Sequence, residues 1–178
     1  MATERSEAVR VLARALDQAG DVLTQVHLDQ LGQTTPCSDW SVAHLIDHLV
    51  ADAHNLRAMV EGEQPDWSAR QQVRENWAET FREAADDLVH AWHQLRDSET
   101  PADPDMATAE FAVHTWDLAQ AIGFSLKGLD PEVARRGLEF MRANLTDDNR
   151  GEAFGPEQPV PDDAGAYDEL AAFAGREP

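Results

Sequence analysis

Apolar residues recur every three to four positions through four long segments of this chain, and nowhere do they alternate with polar residues at the period of two that a half-buried strand needs. The first segment carries Val11, Leu12, Ala15, Leu16, Ala19, Val22 and Val26 on one face and predicts a helix from about Glu4 to Leu31. Ser41 is placed to cap a second helix, which carries Leu45, Ile46, Leu49, Leu56 and Val60 and stops near Gly62. Trp77, Phe81, Ala84, Leu88, Trp92 and Leu95 mark a third, closed by the breaker run "DSETPADPD" at 97–105. The stretch "MATAEFAVHTWDLAQAIG" makes a fourth, stopped by Gly123.

Paired helices leave half of each stripe wet, so four of them bury their apolar faces most simply as a four-helix bundle, and the fold class is all-α. A connection of about nine residues between the first two helices leaves room for a crossover, so strict up-down-up-down order is not required. Asp130 and Pro131 cap and start a fifth helix through about Leu145, and the Pro-rich tail ends in a short helix. The expected organisation is one domain over 1–178, with a core bundle at about 4–123 and an additional C-terminal helix and short tail at about 130–178.

Charge narrows the partners. Fourteen Lys and Arg stand against 34 Asp and Glu, a formal net charge of -20, which repels phosphate backbones and anionic membrane surfaces, so no nucleic-acid or membrane partner is expected. One cysteine, Cys37, excludes an intramolecular disulfide and a Cys-rich zinc finger. No stretch reaches the roughly 18 apolar residues of a membrane span, and the first residues lack a signal-peptide core, so the expected compartment is the cytoplasm.

The fourth helix carries a polar anomaly. At about 100° per residue, Ala107, Phe111, Leu118 and Ala121 fall within about 60° of His114, which puts the imidazole on the core side. Glu110 and Asp117 flank it on that side, where an unpaired carboxylate would cost several kcal/mol, so a cation is wanted. The second helix offers a matching row: His48 at the edge of its stripe, Asp52 one turn on, and His44 one turn back but rotated toward solvent. Facing each other, the two rows would bring His48, Glu110 and His114 to one point, a donor set suited to a divalent transition metal with a position left open for water or substrate. A Glu–His hydrogen bond without metal satisfies the same pair, and Asp117 or Asp52 could orient an imidazole, accept a proton or pair with an arginine.

Other candidates carry less. His27, His54, His90 and His93 lack a partner at ligand spacing and read as surface or helix-end residues. Cys37, between Pro36 and Ser38, reads as a buried structural thiol, and Trp40 as a staple at the start of the second helix. A Glu-x-x-His motif on two helices is absent, which excludes a di-iron carboxylate bundle. No glycine-rich phosphate loop or serine nucleophile elbow occurs.

The segments "TPCSDWSVAHLIDHLV", "EFAVHTWDLAQAIG" and "FGPEQPVPDDAGAYDELAAFAGREP" resemble the DinB-like metal-binding bundles of actinobacteria, in the branch related to the N-terminal domain of mycothiol-dependent maleylpyruvate isomerase. The resemblance spans nearly the whole chain. It implies a divalent metal, zinc in the first instance with nickel or iron as alternatives, held by a His on the second helix and by a Glu and a His four residues apart on a later one. Here those are His48, Glu110 and His114, the three that the helical geometry brings together. It also implies a small-molecule thiol, of the mycothiol or bacillithiol kind, and an electrophile as partners in a transferase or isomerase-like reaction. The family isomerase carries a second domain after the bundle, so maleylpyruvate isomerisation itself is not expected. A ferrous oxygenase would use the same ligand types. The alternative from another class is a noncatalytic bundle, with structural metal or none, that associates with a protein partner. Oligomeric state is not set by the sequence, and a homodimer stays open.

Overall fold

The computed structural model describes residues 2–37, 40–68, 71–95, 100–150 and 154–178. Residues 38–39 of the loop before the second helix and 97–99 of the breaker run lie outside them. Six α-helices occur in the order α1 Ala2–Thr24, α2 Val42–Val60, α3 Trp77–Leu95, α4 Pro104–Ile122, α5 Pro131–Asn144 and α6 Ala166–Phe173, with no strand among the described residues. The chain is all-α.

Helix ends follow the local chemistry. Ser41 sits in extended conformation and its hydroxyl accepts from the His44 amide, so α2 starts where expected. Asp103 and Asp130 do the same for α4 and α5, each followed by a proline that loses nothing by lacking an N–H in the first turn. Gly123 closes α4 at φ +71°. One boundary differs from expectation: α1 ends at Thr24, seven residues before Leu31. There Gln25 and Val26 donate to the carbonyls of Val22 and Leu23, tightening the last turn, and the His27 amide donates to Gln30 Oε1 at 2.8 Å to open a short 3-10 turn. Val26 stays buried although it has left the helix, so the apolar period outlasts the helical backbone.

Among the described residues, α1 packs against α3 and α4, and α2 packs against the same two, while α1 and α2 barely touch. α1 and α2 therefore lie on a diagonal, with α3 and α4 as neighbours of both, and the segment after α1 crosses the end of the bundle. It is braced there by Thr35 N–H to Trp40 O and Val42 N–H to Gln33 O, on either side of a single antiparallel bridge between Thr34 and Ser41. Leu12, Leu23, Leu45, Leu49, Phe81, Leu88, Phe111 and Leu118 are fully buried between the four helices, with Phe81 and Phe111 edge to face at 5.9 Å. Each such side chain contributes about 1.5–3 kcal/mol on removal from water.

The C-terminal third is tied to this core. α5 lies so close to α4 that a Cβ on Gly137 would come within 3.1 Å of Ala109 Cα. Buried Gln18 of α1 accepts from the Asp130 amide at 2.7 Å and the Tyr167 hydroxyl at 3.1 Å, linking α1, α5 and α6, and Trp116 Nε1 of α4 donates to Asp168 of α6. After α6 the backbone turns at Gly175, φ +88°, which lies against Gly155: a Cβ on Gly175 would sit 2.5 Å from Gly155 Cα. Glycine is required at that crossing because both the positive φ and the close approach exclude a side chain.

Candidate metal centre

α2 and α4 face each other where their polar rows meet. His48 Nε2 lies 3.0 Å from Glu110 Oε1, and His114 Nε2 lies 3.0 Å from the same oxygen. The two imidazoles stand edge to face, with centroids 4.7 Å apart. One donor atom from each of His48, Glu110 and His114 falls within 4.8 Å of the others. Around them lie Asp52, whose Oδ2 is 3.0 Å from His48 Nε2, and Asp117, whose Oδ2 is 3.0 Å from His114 Nδ1. His114, Asp117 and Asp52 are buried, while His48 and Glu110 are partly open. His44 is exposed, as are His27, His54, His90 and His93.

Arg176 donates to both oxygens of Asp117, from Nε at 3.2 Å and Nη2 at 3.1 Å, which keeps that carboxylate ionised and able only to accept. His114 Nδ1 must then carry the proton shared with Asp117. In a neutral ring this leaves the Nε2 lone pair aimed at Glu110 Oε1, two acceptors 3.0 Å apart, a contact that needs either a second proton or a cation between them. Three carboxylates and one guanidinium leave the cluster two negative charges in excess when both imidazoles are neutral, the charge that one divalent cation cancels.

Without such a cation the rings take up protons instead. Burial works against the His114 imidazolium, but the Glu110 charge and the hydrogen bonds to Asp117 and Glu110 outweigh it and hold the ring well above its ordinary pKa. Burial likewise opposes the Glu110 carboxylate, yet His114 and His48 keep it well below the usual range. Burial and, less strongly, the Glu110 charge push Asp52 up to about 6 against the pull of His48.

A pocket of about 500 Å³ opens onto these groups, lined by Cys37, Trp40, His48, Glu110, His114 and Arg176 and by Phe154, Gly155 and Gly175 of the tail. Two features add to or depart from expectation. Trp40, read as a staple, also stacks on His114 at 5.8 Å and meets His48 edge-on at 4.5 Å, walling the imidazoles on one side. Cys37, read as a buried structural thiol, is partly exposed on the pocket wall, where burial, opposed by His114, pushes its pKa up. Arg176 belongs to the Gly-Arg-x-Pro ending at 175–178 that carries part of the family resemblance, but the sequence does not assign it to Asp117. The demand for a cation beside Asp117 was visible, but its supplier lies 59 residues away, beyond any helical period.

The family described as the mycothiol maleylpyruvate isomerase N-terminal domain matches residues 9–119. Two uncharacterized proteins of Mycobacterium tuberculosis, from strains CDC 1551 / Oshkosh and H37Rv, are each 34% identical to the chain over 174 residues, covering 92% of it and 94% of the relative. No solved structure gives a significant match. No helix among the described residues is long and apolar enough to cross a membrane. With a match over more than half its length, and relatives aligned nearly end to end, the chain belongs to the mycothiol maleylpyruvate isomerase N-terminal domain family.

Proposed function

We propose that the chain holds one divalent metal ion, zinc in the first instance, through His48 Nε2, Glu110 Oε1 and His114 Nε2, and uses it as a thiol-dependent transferase acting on a small electrophile. The observation that carries this reading is the convergence of those three donors on an open pocket, with His48 Nε2 and His114 Nε2 each 3.0 Å from Glu110 Oε1. Two imidazoles and one carboxylate fit a catalytic zinc centre, since three protein ligands leave a position for substrate. Asp117 orients His114 and sets its tautomer, a role that Arg176 enforces by keeping Asp117 ionised. The bound ion supplies one thing: it lowers the pKa of a coordinated thiol so that the thiolate persists at neutral pH.

Mycothiol, named in the family description, is the thiol class this reading selects. In the transfer, the sulfur forms a bond to the electrophilic carbon, the leaving group departs with the electron pair of the bond it breaks, and the thiol proton passes to a base. Asp52, buried beside His48, is the carboxylate assigned to receive it. Trp40 and the tail residues Phe154 and Gly155 wall the pocket beside the imidazoles.

Elemental analysis of untagged protein, compared with the His48→Ala/His114→Ala double variant, tests the ligand set. About one zinc, nickel or iron per native chain, lost in the variant, is the expected result. Absence of metal after reconstitution with each ion would overturn the reading, leave Glu110 and His114 as a hydrogen-bonded pair, and favour the noncatalytic bundle. A thiol-transfer assay on metal-loaded protein across a panel of electrophiles then tests the activity.

A further inference from the structure

A second cavity adjoins the first. It holds about 280 Å³ and shares two walls with the polar pocket, Glu110 and Phe154. The rest of its lining is almost wholly hydrocarbon or thioether: Met106 and Val113 from α4, Phe140 and Met141 from α5, and Leu145 just beyond. Among the described residues, its lining carries no charged side chain apart from Glu110, and Asn144 is the one other polar group there. Met106, Glu110 and Val113 follow one another along a single face of α4, so the cavity runs roughly 10 Å along that helix, with Glu110 between its two ends.

Size and chemistry select the occupant. A dry engineered cavity of about 150 Å³ accepts benzene, so one of nearly twice that volume accepts a substituted aryl ring or an alkyl chain of roughly six carbons. An anionic group is disfavoured because, among the described lining residues, the one charge is a carboxylate and none is a cation that would pair with it. Continuity through Glu110, one of the three convergent donors, places the apolar end of a bound molecule here while its other end stays beside His48 and His114.

We infer that this cavity binds the uncharged alkyl or aryl group of the electrophile, orienting its reactive carbon toward the polar pocket. The inference rests on the transferase reading for the role of that molecule, whereas the cavity's preference for an uncharged hydrocarbon stands on its lining alone. Electrophiles with a hydrocarbon arm are thereby selected over small hydrophilic or carboxylated ones.

The test uses the full chain, first freed of metal and then zinc-loaded, with 1-hexanol and hexanoate as probes. Of the four methionines, Met106 and Met141 line the cavity and Met59 does not, so carbon-13 labelled methyl groups report occupancy locally. Saturable hexanol-dependent shifts of Met106 and Met141, with Met59 unmoved and hexanoate at least tenfold weaker, are expected in the metal-free chain. Val113→Phe, which fills the cavity, is expected to weaken hexanol at least tenfold while zinc stoichiometry stays at the native value. Leu145→Trp at the half-buried rim gives the same readout if Val113→Phe fails to fold. Unsaturable shifts, equal movement of Met59, or unchanged affinity in the filled variants would overturn the cavity as a binding site. In the zinc-loaded chain with a thiol, KM is expected to fall as the electrophile's alkyl chain lengthens from two to six carbons, and a flat profile would overturn the assignment to the electrophile. Failure of zinc uptake by the native chain would count against the metal reading and leave the hexanol result unaffected.

Discussion

Asp117→Asn separates the charge argument from the packing argument because the two side chains have nearly the same shape. In the native chain the Asp117 carboxylate accepts from His114 Nδ1 and twice from Arg176, and it has no solvent exposure. An asparagine keeps one acceptor and gains two N–H donors. Its oxygen is claimed by Arg176, so its amide group faces His114 Nδ1 and makes that nitrogen an acceptor. The imidazole proton then moves to Nε2, the atom that faces Glu110 and that the proposed ion occupies. Loss of such an orienting carboxylate weakens metal binding by about 10–100-fold, or about 1.4–2.8 kcal/mol. Arg176, only 7% exposed, loses its ionic partner at the same time, and breaking one side of a buried pair costs about 3–5 kcal/mol of folding stability. Chelator-competition titration with zinc measures the first effect, urea denaturation in EDTA the second, and nitrogen-15 chemical shifts of His114 report the tautomer. Zinc affinity within twofold of native would refute the tautomer argument. A stability loss below about 1 kcal/mol would refute the claim that the Asp117–Arg176 pair is broken in the buried state.

The metal-free chain is expected to lose stability as pH rises. The folded pKa of His114 is raised, so its contribution is fully present below the ordinary value of 6.5 and disappears as pH climbs through the elevated folded value; a melting temperature that rises from pH 6 to 9 in EDTA would contradict this. Asp117 acts in the other direction, since its depressed pKa makes its contribution present above 3.8 and lost as pH falls through the folded value. Metal uptake should strengthen with pH by about tenfold per unit for each proton displaced, and calorimetry in buffers of different ionisation enthalpy counts those protons. Gly175→Ala is expected to cost about 3 kcal/mol, from positive-φ strain and the clash with Gly155, and urea denaturation within 0.5 kcal/mol of native would show that the crossing relaxes.

Sequence periodicity carried much of the fold because each long helix has a single job, burying one stripe. Start signals at Ser41 and Asp130 were equally local, each bonding an amide two or three residues on, whereas Asp103, read as part of the breaker run, caps an α4 that starts at Pro104, two residues before Met106. The end of α1 was less legible because Val26 remains in the core after the backbone has left the helix, so apolar spacing did not mark the stop. At the site, the grouping of Glu110, His114 and Asp117 followed from 3.6-residue geometry alone. Pairing that row with His48 required the two helices to face each other, which amphipathicity suggested and packing realises. The roles of Trp40, Cys37 and Arg176 were not readable, since each depends on where an irregular segment passes over the bundle.

The crossing of Gly155 and Gly175 bears on how the protein is made. A ribosome produces Arg176 fifty-nine residues after Asp117, so the α1–α4 bundle can emerge before the counter-charge for its buried carboxylate exists. Until the tail docks beside Gly155, that carboxylate has His114 of its own helix as a partner and must keep its water on the side that Arg176 later covers. Completion of the pocket therefore depends on docking of the segment around Gly175, a step distinct from collapse of the four helices.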